Sequence, residues 1–255
     1  MTWRSMGVGE TIFFMHGIGG ASENWSSQLY ELSNKYRVLA WDMPGYGGST
    51  NLKEDKPDSA SYAEAVTNLL DYLSIERCHM VGQSVAALIA ARIASDSPER
   101  ILTLTLSHPL TGFGGLSAKD REEQRTARLD LFNSLGPTRF AYEKGSGILA
   151  PNTKVEVRRK VVKTMAKVRS RGFSQAVEMM SQTDLRHLAS GISKRVLIIG
   201  GEYDPVVSVK SCKLLTKHFG NCRVKIIFAA GHYSAIEKSD TVNGVFLNFF
   251  SGDEE

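Results

Sequence analysis

Along the first half of the chain, short apolar runs alternate with stretches whose apolar residues recur every three or four positions. Thr11–Met15 is an unbroken apolar run ending in glycines, the pattern of a strand buried on both faces. Trp25–Lys35 has helical spacing through Trp25, Leu29 and Leu32, and Arg37–Asp42 reads as a second strand, followed by the loop Met43–Thr50. Ser61–Leu73 is helical, with Leu69, Leu70 and Leu73 on one face, and Cys78–Val81, Val85–Ala94 and Ile101–Ser107 read as strand, helix, strand. Strands separated by helices in this rhythm predict a parallel sheet covered on both faces. Between Gly112 and Ile192 the rhythm stops: the spacing predicts helices near 118–134, 138–143, 154–169 and 174–182, punctuated at Gly136-Pro137, Gly145–Gly147 and Pro151. Strand Arg195–Ile199, helix Val207–Phe219, strand Arg223–Phe228 and helix Thr241–Phe250 then resume it. An α/β core, 1–111 and 191–255, carrying a helical insertion at 112–190, is the expected organisation.

Composition changes little in this picture. The 255 residues are 42% hydrophobic and 23% charged, enough apolar chain for a large core. The longest uncharged stretch, Ile101–Ala118, is interrupted by Pro109 and several glycines, so no membrane-spanning helix is expected. Met1-Thr-Trp-Arg lacks the basic-then-apolar order of a signal peptide. Cys78, Cys212 and Cys222 are odd in number and widely spaced, which argues for reduced thiols and a cytoplasmic protein. Charge is more informative by position than in total. The net charge is +4, yet Lys154–Arg171 alone holds eight Lys/Arg against Glu156, a local +7 that leaves the remainder at −3. With Val157, Val161, Met165 and Val168 at helical spacing and no aromatics interleaved, the run reads as an amphipathic helix with a solvated basic face. It does not read as a nucleic-acid surface, and attraction of an anionic substrate or partner is the other reading.

The chemistry concentrates at loops that follow strands. Val81-Gly82-Gln83-Ser84-Val85-Ala86-Ala87 lies between a strand and a helix, where a sharp turn would lift the Ser84 hydroxyl above the sheet edge and requires small neighbours. Ala86 stands where the G-x-S-x-G pattern has its second glycine. His16-Gly17-Ile18-Gly19-Gly20 follows the first buried strand and can aim backbone N–H groups at a developing negative charge. Ile18 and Val85 N–H are the expected pair, and such donors each lower an acyl-transfer barrier by about 3–4 kcal/mol. Asp204, in Gly-Gly-Glu-Tyr-Asp-Pro, and His232, in Ala-Gly-His-Tyr, follow two later strands. The chain order Ser84…Asp204…His232 at one edge of an open sheet is that of a nucleophile, an orienting acid and a base. Glu202 is the alternative carboxylate.

HGIGG, D-M-P-G-Y-G-G-S at Asp42–Ser49, G-Q-S-V-A, G-E-Y-D-P and A-G-H-Y together resemble the α/β-hydrolase superfamily over nearly the whole chain. The resemblance implies a mostly parallel sheet with helices on both faces, Ser84 as nucleophile, His232 as base then acid, Asp204 as its orienting partner, and a helical cap at 112–190. It gives Asp42 a structural role. Only about ten residues precede the first parallel strand, so the family's N-terminal hairpin is expected to be short or missing and the sheet to have six to seven strands. A serine nucleophile favours acyl transfer over dehalogenase or epoxide-hydrolase chemistry. The chain most resembles 3-oxoadipate enol-lactonases and other hydrolases of aromatic-degradation pathways, which implies cleavage of a small ester or lactone. Carbon–carbon bond hydrolases typically have Trp where Tyr233 stands and a G-N-S-M-G-G elbow; that reading and a hydrolase-fold ligand receptor with a retained triad stay open. Trp25, Gln83, His108, Phe113, Phe132, Tyr142 and Tyr233 are the expected pocket residues. Acyl transfer on a serine needs no metal or organic cofactor, and none is expected; His16, His79, His108, His187, His218 and His232 also lack metal-ligand spacing. The expected partner is a small molecule, with no nucleic acid and no membrane, and the chain is a monomer or homodimer.

Overall fold

The computed structural model describes residues 1–252. Its centre is one seven-stranded sheet in the order β1-β3-β2-β4-β5-β6-β7, built from β1 (Trp3–Met6), β2 (Thr11–Met15), β3 (Arg37–Trp41), β4 (Cys78–Gln83), β5 (Ile101–Ser107), β6 (Val196–Gly201) and β7 (Cys222–Ile227). All neighbouring pairs are parallel except β1–β3, in which Trp3 faces Trp41 and Met6 faces Val38. The short edge strand β1 is what stands where a hairpin was expected to be short or missing. Its four residues are mostly exposed, so no apolar alternation announces it.

Side chains of successive β2 residues enter opposite layers, as a pleated strand requires. Phe13 and Met15 join one core with Val66, Leu70, Leu88 and Cys212. Ile12 and Phe14 join the other with Leu29, Leu32, Val242 and Phe246. The helices therefore divide: α1 (Ser26–Leu32) and the C-terminal helix Ser239–Ser251 cover one face, while α2 (Ser59–Tyr72), α3 (Ala86–Asp96) and the helix Val209–Leu215 cover the other. Asp58 caps α2 by accepting from the Ala60 and Ser61 N–H groups at 2.9 and 3.1 Å.

Between β5 and β6 lie only helices: α4 (Ala118–Gly145), α5 (Val155–Met165), α6 (Ser170–Gln182) and α7 (Leu185–Ala189). Gly136, at φ 68° and ψ 165°, breaks α4 into two limbs, and Pro137 starts the second. This is the break expected between 134 and 138. The basic run does not form one helix to Arg171: α5 ends at Met165, and the chain turns through Val168 before α6 begins. Four of its cations bind other parts of the chain. Arg158 donates to the Ser146 and Ala150 carbonyls, Lys167 pairs with Glu23, Arg169 donates to the Gly45 and Ser49 carbonyls, and Arg171 pairs with Asp55. Three of these, Lys167, Arg169 and Arg171, tie the helical segment to the core loops, while Arg158 braces the segment internally. The last elements are α8 (Val209–Leu215), α9 (Ser234–Glu237) and α10 (Ser239–Ser251). No helix among the described residues is long and apolar enough to cross a membrane, and Cys78, Cys212 and Cys222 are free thiols.

Candidate active site

Ser84 occupies the tight turn between β4 and α3 with φ 55°, a left-handed conformation rare for a residue with a side chain. Three constraints hold it there. Its N–H donates to the Ser107 carbonyl at 2.8 Å, and its own carbonyl accepts from Leu110 N–H at 3.3 Å. A side chain on Gly82 would meet the Ala86 backbone at 2.5–2.8 Å and Ala90 Cβ at 2.9 Å, so only glycine lets α3 start so close to β4. Ala86 itself is fully buried, and its single methyl fits where the pattern has glycine.

The loop after β2 packs against this turn. A Cβ on Gly17 would stand 2.9 Å from Ser84 Cβ. His16 fixes the loop from behind: its Nε2 accepts from Met43 N–H at 3.0 Å, which leaves Nδ1–H to donate to the Gly17 carbonyl at 2.8 Å. Burial lowers the His16 pKa, in keeping with that neutral tautomer. Asp42 has the structural role expected of it, accepting from Ser22 N–H at 2.8 Å and from Thr2 Oγ1 at 2.9 Å. The Ile18 and Val85 N–H groups take no part in the turn and loop hydrogen bonds of the described residues. Val85 is also the N-cap residue of α3, where the helix dipole is positive.

Ser84 Oγ lies 3.0 Å from His232 Nε2, and His232 Nδ1 lies 2.8 Å from Asp204 Oδ2. Glu202 is turned away and accepts from Ala229 N–H at 2.9 Å. Asp204 Oδ1 accepts from the Val206 and Val207 N–H groups at 2.8 and 3.0 Å, and Oδ2 takes a second imidazole, His108 Nδ1, also at 2.8 Å. His108 Nε2 is in turn 2.7 Å from Ser234 Oγ. Burial acts to raise the Asp204 pKa, but hydrogen bonds from His108 and His232 outweigh it and hold the carboxyl well below its usual range. Burial lowers the His108 pKa against the pull of Asp204, so this imidazole is neutral near pH 7. His108, Asp204 and His232 place possible ligand atoms within 4.8 Å of one another. Both Nδ1 atoms are hydrogen-bonded to the same oxygen at 2.8 Å, and the two Nε2 atoms face the Ser234 and Ser84 hydroxyls, so each donor already has a protein partner. These groups are spent on each other.

Above Ser84 and His232 opens a cavity of about 430 Å³. Ile18 and Tyr233 line it, with Leu110, Leu131, Phe140, Met165, Phe173, Arg128 and Lys144. The other expected pocket residues do not. Trp25 packs on Phe14 in the core, ring centroids 4.5 Å apart, because it ends the short 3-10 turn Ser22–Trp25 that leads into α1 against the sheet. Phe132 stands one layer behind the wall, stacked at 3.9 Å on Phe173. Phe113 lies beneath the Arg128 guanidinium, and Tyr142 is 77% exposed on the outer face of α4. Gln83 is buried and donates to the His232 carbonyl at 3.2 Å, while His108 sits on the side of Asp204 away from the cavity. Glu237 was not legible as a site residue, yet it holds the His232 loop to the helical segment. Its carboxylate accepts from Gly231 and Tyr233 N–H at 3.1 Å and from Ala150 N–H at 2.8 Å.

The family described as the alpha/beta hydrolase fold matches residues 10–239. The chain belongs to that family. Similar proteins include 3-oxoadipate enol-lactonase 1 of Acinetobacter baylyi, 25% identical over 94% of this chain and 87% of its own. The dihydrolipoyllysine-residue acetyltransferase component of the acetoin cleaving system of Cupriavidus necator is 28% identical over 98% of this chain, which spans 66% of that relative's length. In architecture the hydrolase resembles a thermophilic esterase from Thermogutta terrifontis, with a TM-score of 0.90 at 19% identity, covering 98% of this chain and 93% of that one.

Proposed function

We propose that this hydrolase cleaves a small carboxylic ester or lactone through an acyl-enzyme on Ser84. One observation carries the reading: a continuous hydrogen-bonded path from Asp204 through His232 to a serine hydroxyl that opens into an apolar cavity. As Ser84 Oγ attacks the substrate carbonyl, His232 Nε2 takes its proton, and Asp204 stays ionised while holding Nδ1–H. The tetrahedral oxyanion sits between the Ile18 and Val85 N–H groups, which need no breaking of existing turn hydrogen bonds to receive it. Collapse expels the alkoxide, which takes the proton from His232. Water then attacks the acyl-enzyme with His232 again as base, and Ser84 leaves with the proton returned. The helices of 112–190 act as the cap that shapes the cavity and excludes solvent. No step calls on a metal or organic cofactor.

Hydrolysis of p-nitrophenyl esters from acetyl to octanoyl, with Ser84→Ala beside the wild type, tests the reading. Sustained turnover that vanishes in Ser84→Ala is expected, with a chain-length optimum set by the cavity. A single burst stoichiometric with protein would overturn it in favour of a ligand receptor. Absence of release from any ester or lactone would turn it towards carbon–carbon bond cleavage.

A further inference from the structure

The cavity lining is apolar apart from the Ser84–His232 end and two cations, and it contains no carboxylate. The cations are Arg128, on the first limb of α4, and Lys144, on the second. The break at Gly136 is what allows both limbs to face one space. Arg128 is half-buried, with its guanidinium carbon 4.4 Å from the centre of the Phe113 ring. Its Nη1 donates to the Gln124 side chain at 2.9 Å and to the Gln124 carbonyl at 3.3 Å, and no described carboxylate pairs with it. Lys144 likewise forms no ion pair among the described residues.

Three other arginines of the segment have carboxylate partners within it, whereas Arg158 and Arg169 donate to main-chain carbonyls. Arg125, less than one turn away, is held by Glu122 at 2.6 Å and by Glu178 at 2.7 Å; Arg139 is held by Glu143 at 2.6 Å and Arg186 by Asp184 at 2.9 Å. A half-buried charge against an apolar space, fixed by an aromatic ring and one amide but lacking a counter-ion, is costly unless something brings the opposite charge. Desolvation already lowers the Arg128 pKa, though the side chain remains charged. A guanidinium offers a planar fork that matches a carboxylate, and its ring contact fixes the plane.

We propose that Arg128, assisted by Lys144, binds a carboxylate carried by the substrate. The preferred substrates are then the half-esters of short dicarboxylic acids, or lactones bearing an acid group. Their reacting carbonyl lies at Ser84 and their free carboxylate at the α4 wall. This rests on the acyl-transfer reading of Ser84, and it adds which end of the substrate is charged.

Two measurements separate the two ideas. The first compares kcat/KM for mono-p-nitrophenyl glutarate and for neutral p-nitrophenyl pentanoate, of equal chain length, in the wild type and in Arg128→Gln. The wild type should prefer the charged ester by about tenfold or more, and the preference should collapse in Arg128→Gln, with Lys144→Gln giving a smaller loss. The second measures glutarate binding by calorimetry in Ser84→Ala and in Ser84→Ala/Arg128→Gln. Binding should weaken about tenfold when the arginine is removed. Turnover of both esters without charge preference, or glutarate binding unchanged by Arg128→Gln, overturns the carboxylate site and leaves the hydrolase reading standing. Arg128-dependent glutarate binding with no turnover of either ester supports the site and sinks the acyl-transfer reading.

Discussion

Two histidines approach the same oxygen of Asp204 at the same 2.8 Å, and each reaches a serine hydroxyl with its other nitrogen. On one side the path runs Asp204–His232–Ser84, on the other Asp204–His108–Ser234. Connectivity alone does not tell them apart; their surroundings do. Ser84 is held at φ 55° on a strand-to-helix turn, at the floor of a cavity, with the Ile18 N–H of the glycine loop and the Val85 N–H of the turn to spare. Ser234 is wholly buried at the start of α9 and does not line the cavity above Ser84. His108 also has a left-handed backbone, φ 50°, and its N–H donates to the Ile199 carbonyl at 2.6 Å, so it is fixed from main chain and side chain alike. A serine–histidine–aspartate path becomes a candidate for chemistry through access and nearby donors. The same path without access is a buried polar network that fixes where Asp204 points.

The largest expected effect comes from breaking the open side. On the proposed mechanism His232→Gln removes the base, and kcat should fall by about 10⁴ to 10⁶-fold while thermal unfolding changes little. Asp204→Asn breaks both sides at once. Whichever way the amide is placed, its NH2 faces either the imidazole N–H groups or the Val206 and Val207 N–H groups, so donor meets donor. Turnover should drop by about 10⁴-fold, and the buried mismatch should destabilise the fold by about 1–3 kcal/mol. Ester kinetics with a melting curve on the same preparation checks both. Wild-type turnover in Asp204→Asn would move the acid elsewhere.

Much of this site was legible because short-range rules fix it. Gly82, Ser84 and Ala86 must be small or strained wherever a strand turns sharply into a helix, and Asp204 and His232 follow strands whose apolar runs stand out. The sheet core was legible for the same reason, Thr11–Met15 being buried along its whole length. The edge strand Trp3–Met6 and the one-turn helix Leu185–Ala189 were not, since neither has a run long enough to show a period. The cavity wall was least legible. Which face of α4 turns inward depends on the break at Gly136 and on α6 packing beneath it, so Phe140 and Arg128 line the space while Phe132 and Tyr142 do not. His108 is 96 residues from its partner Asp204, and no local pattern encodes that contact.

Breaking the closed side should cost stability first. His108→Phe keeps bulk but takes one donor from Asp204 and one partner from Ser234, for an expected loss of about 1–3 kcal/mol. His108→Asn should recover part of it, since Asn tolerates the positive φ and can still donate to Asp204. Acid sharpens the contrast. The folded pKa of His108 is depressed, so its contribution is complete above the ordinary value of about 6.5 and drains as pH falls towards the folded value. Asp204, also depressed, adds its own loss only below its ordinary value of about 3.9. His16 and His79, lowered by burial, share the first window. The difference between wild type and His108→Asn in denaturant titrations at pH 7 and pH 5 therefore isolates His108. The variant should lose less stability on acidification, and equal losses would mean that the folded protein does not hold the His108 pKa below its ordinary value.

The smallest effect belongs to Ser234→Ala. It leaves every bond to Asp204 in place and removes only the hydroxyl that His108 Nε2 accepts from, 2.7 Å away. The orphaned nitrogen is buried, so about 1 kcal/mol should be lost, a shift of about 2–4 °C in the melting temperature of a chain this long. Turnover should be unaffected, because His108 keeps its hold on Asp204 through Nδ1. If turnover instead fell along with stability, the two serine–histidine paths would be coupled through Asp204. The closed side would then take part in setting the base on the open side, beyond fixing the carboxylate in place.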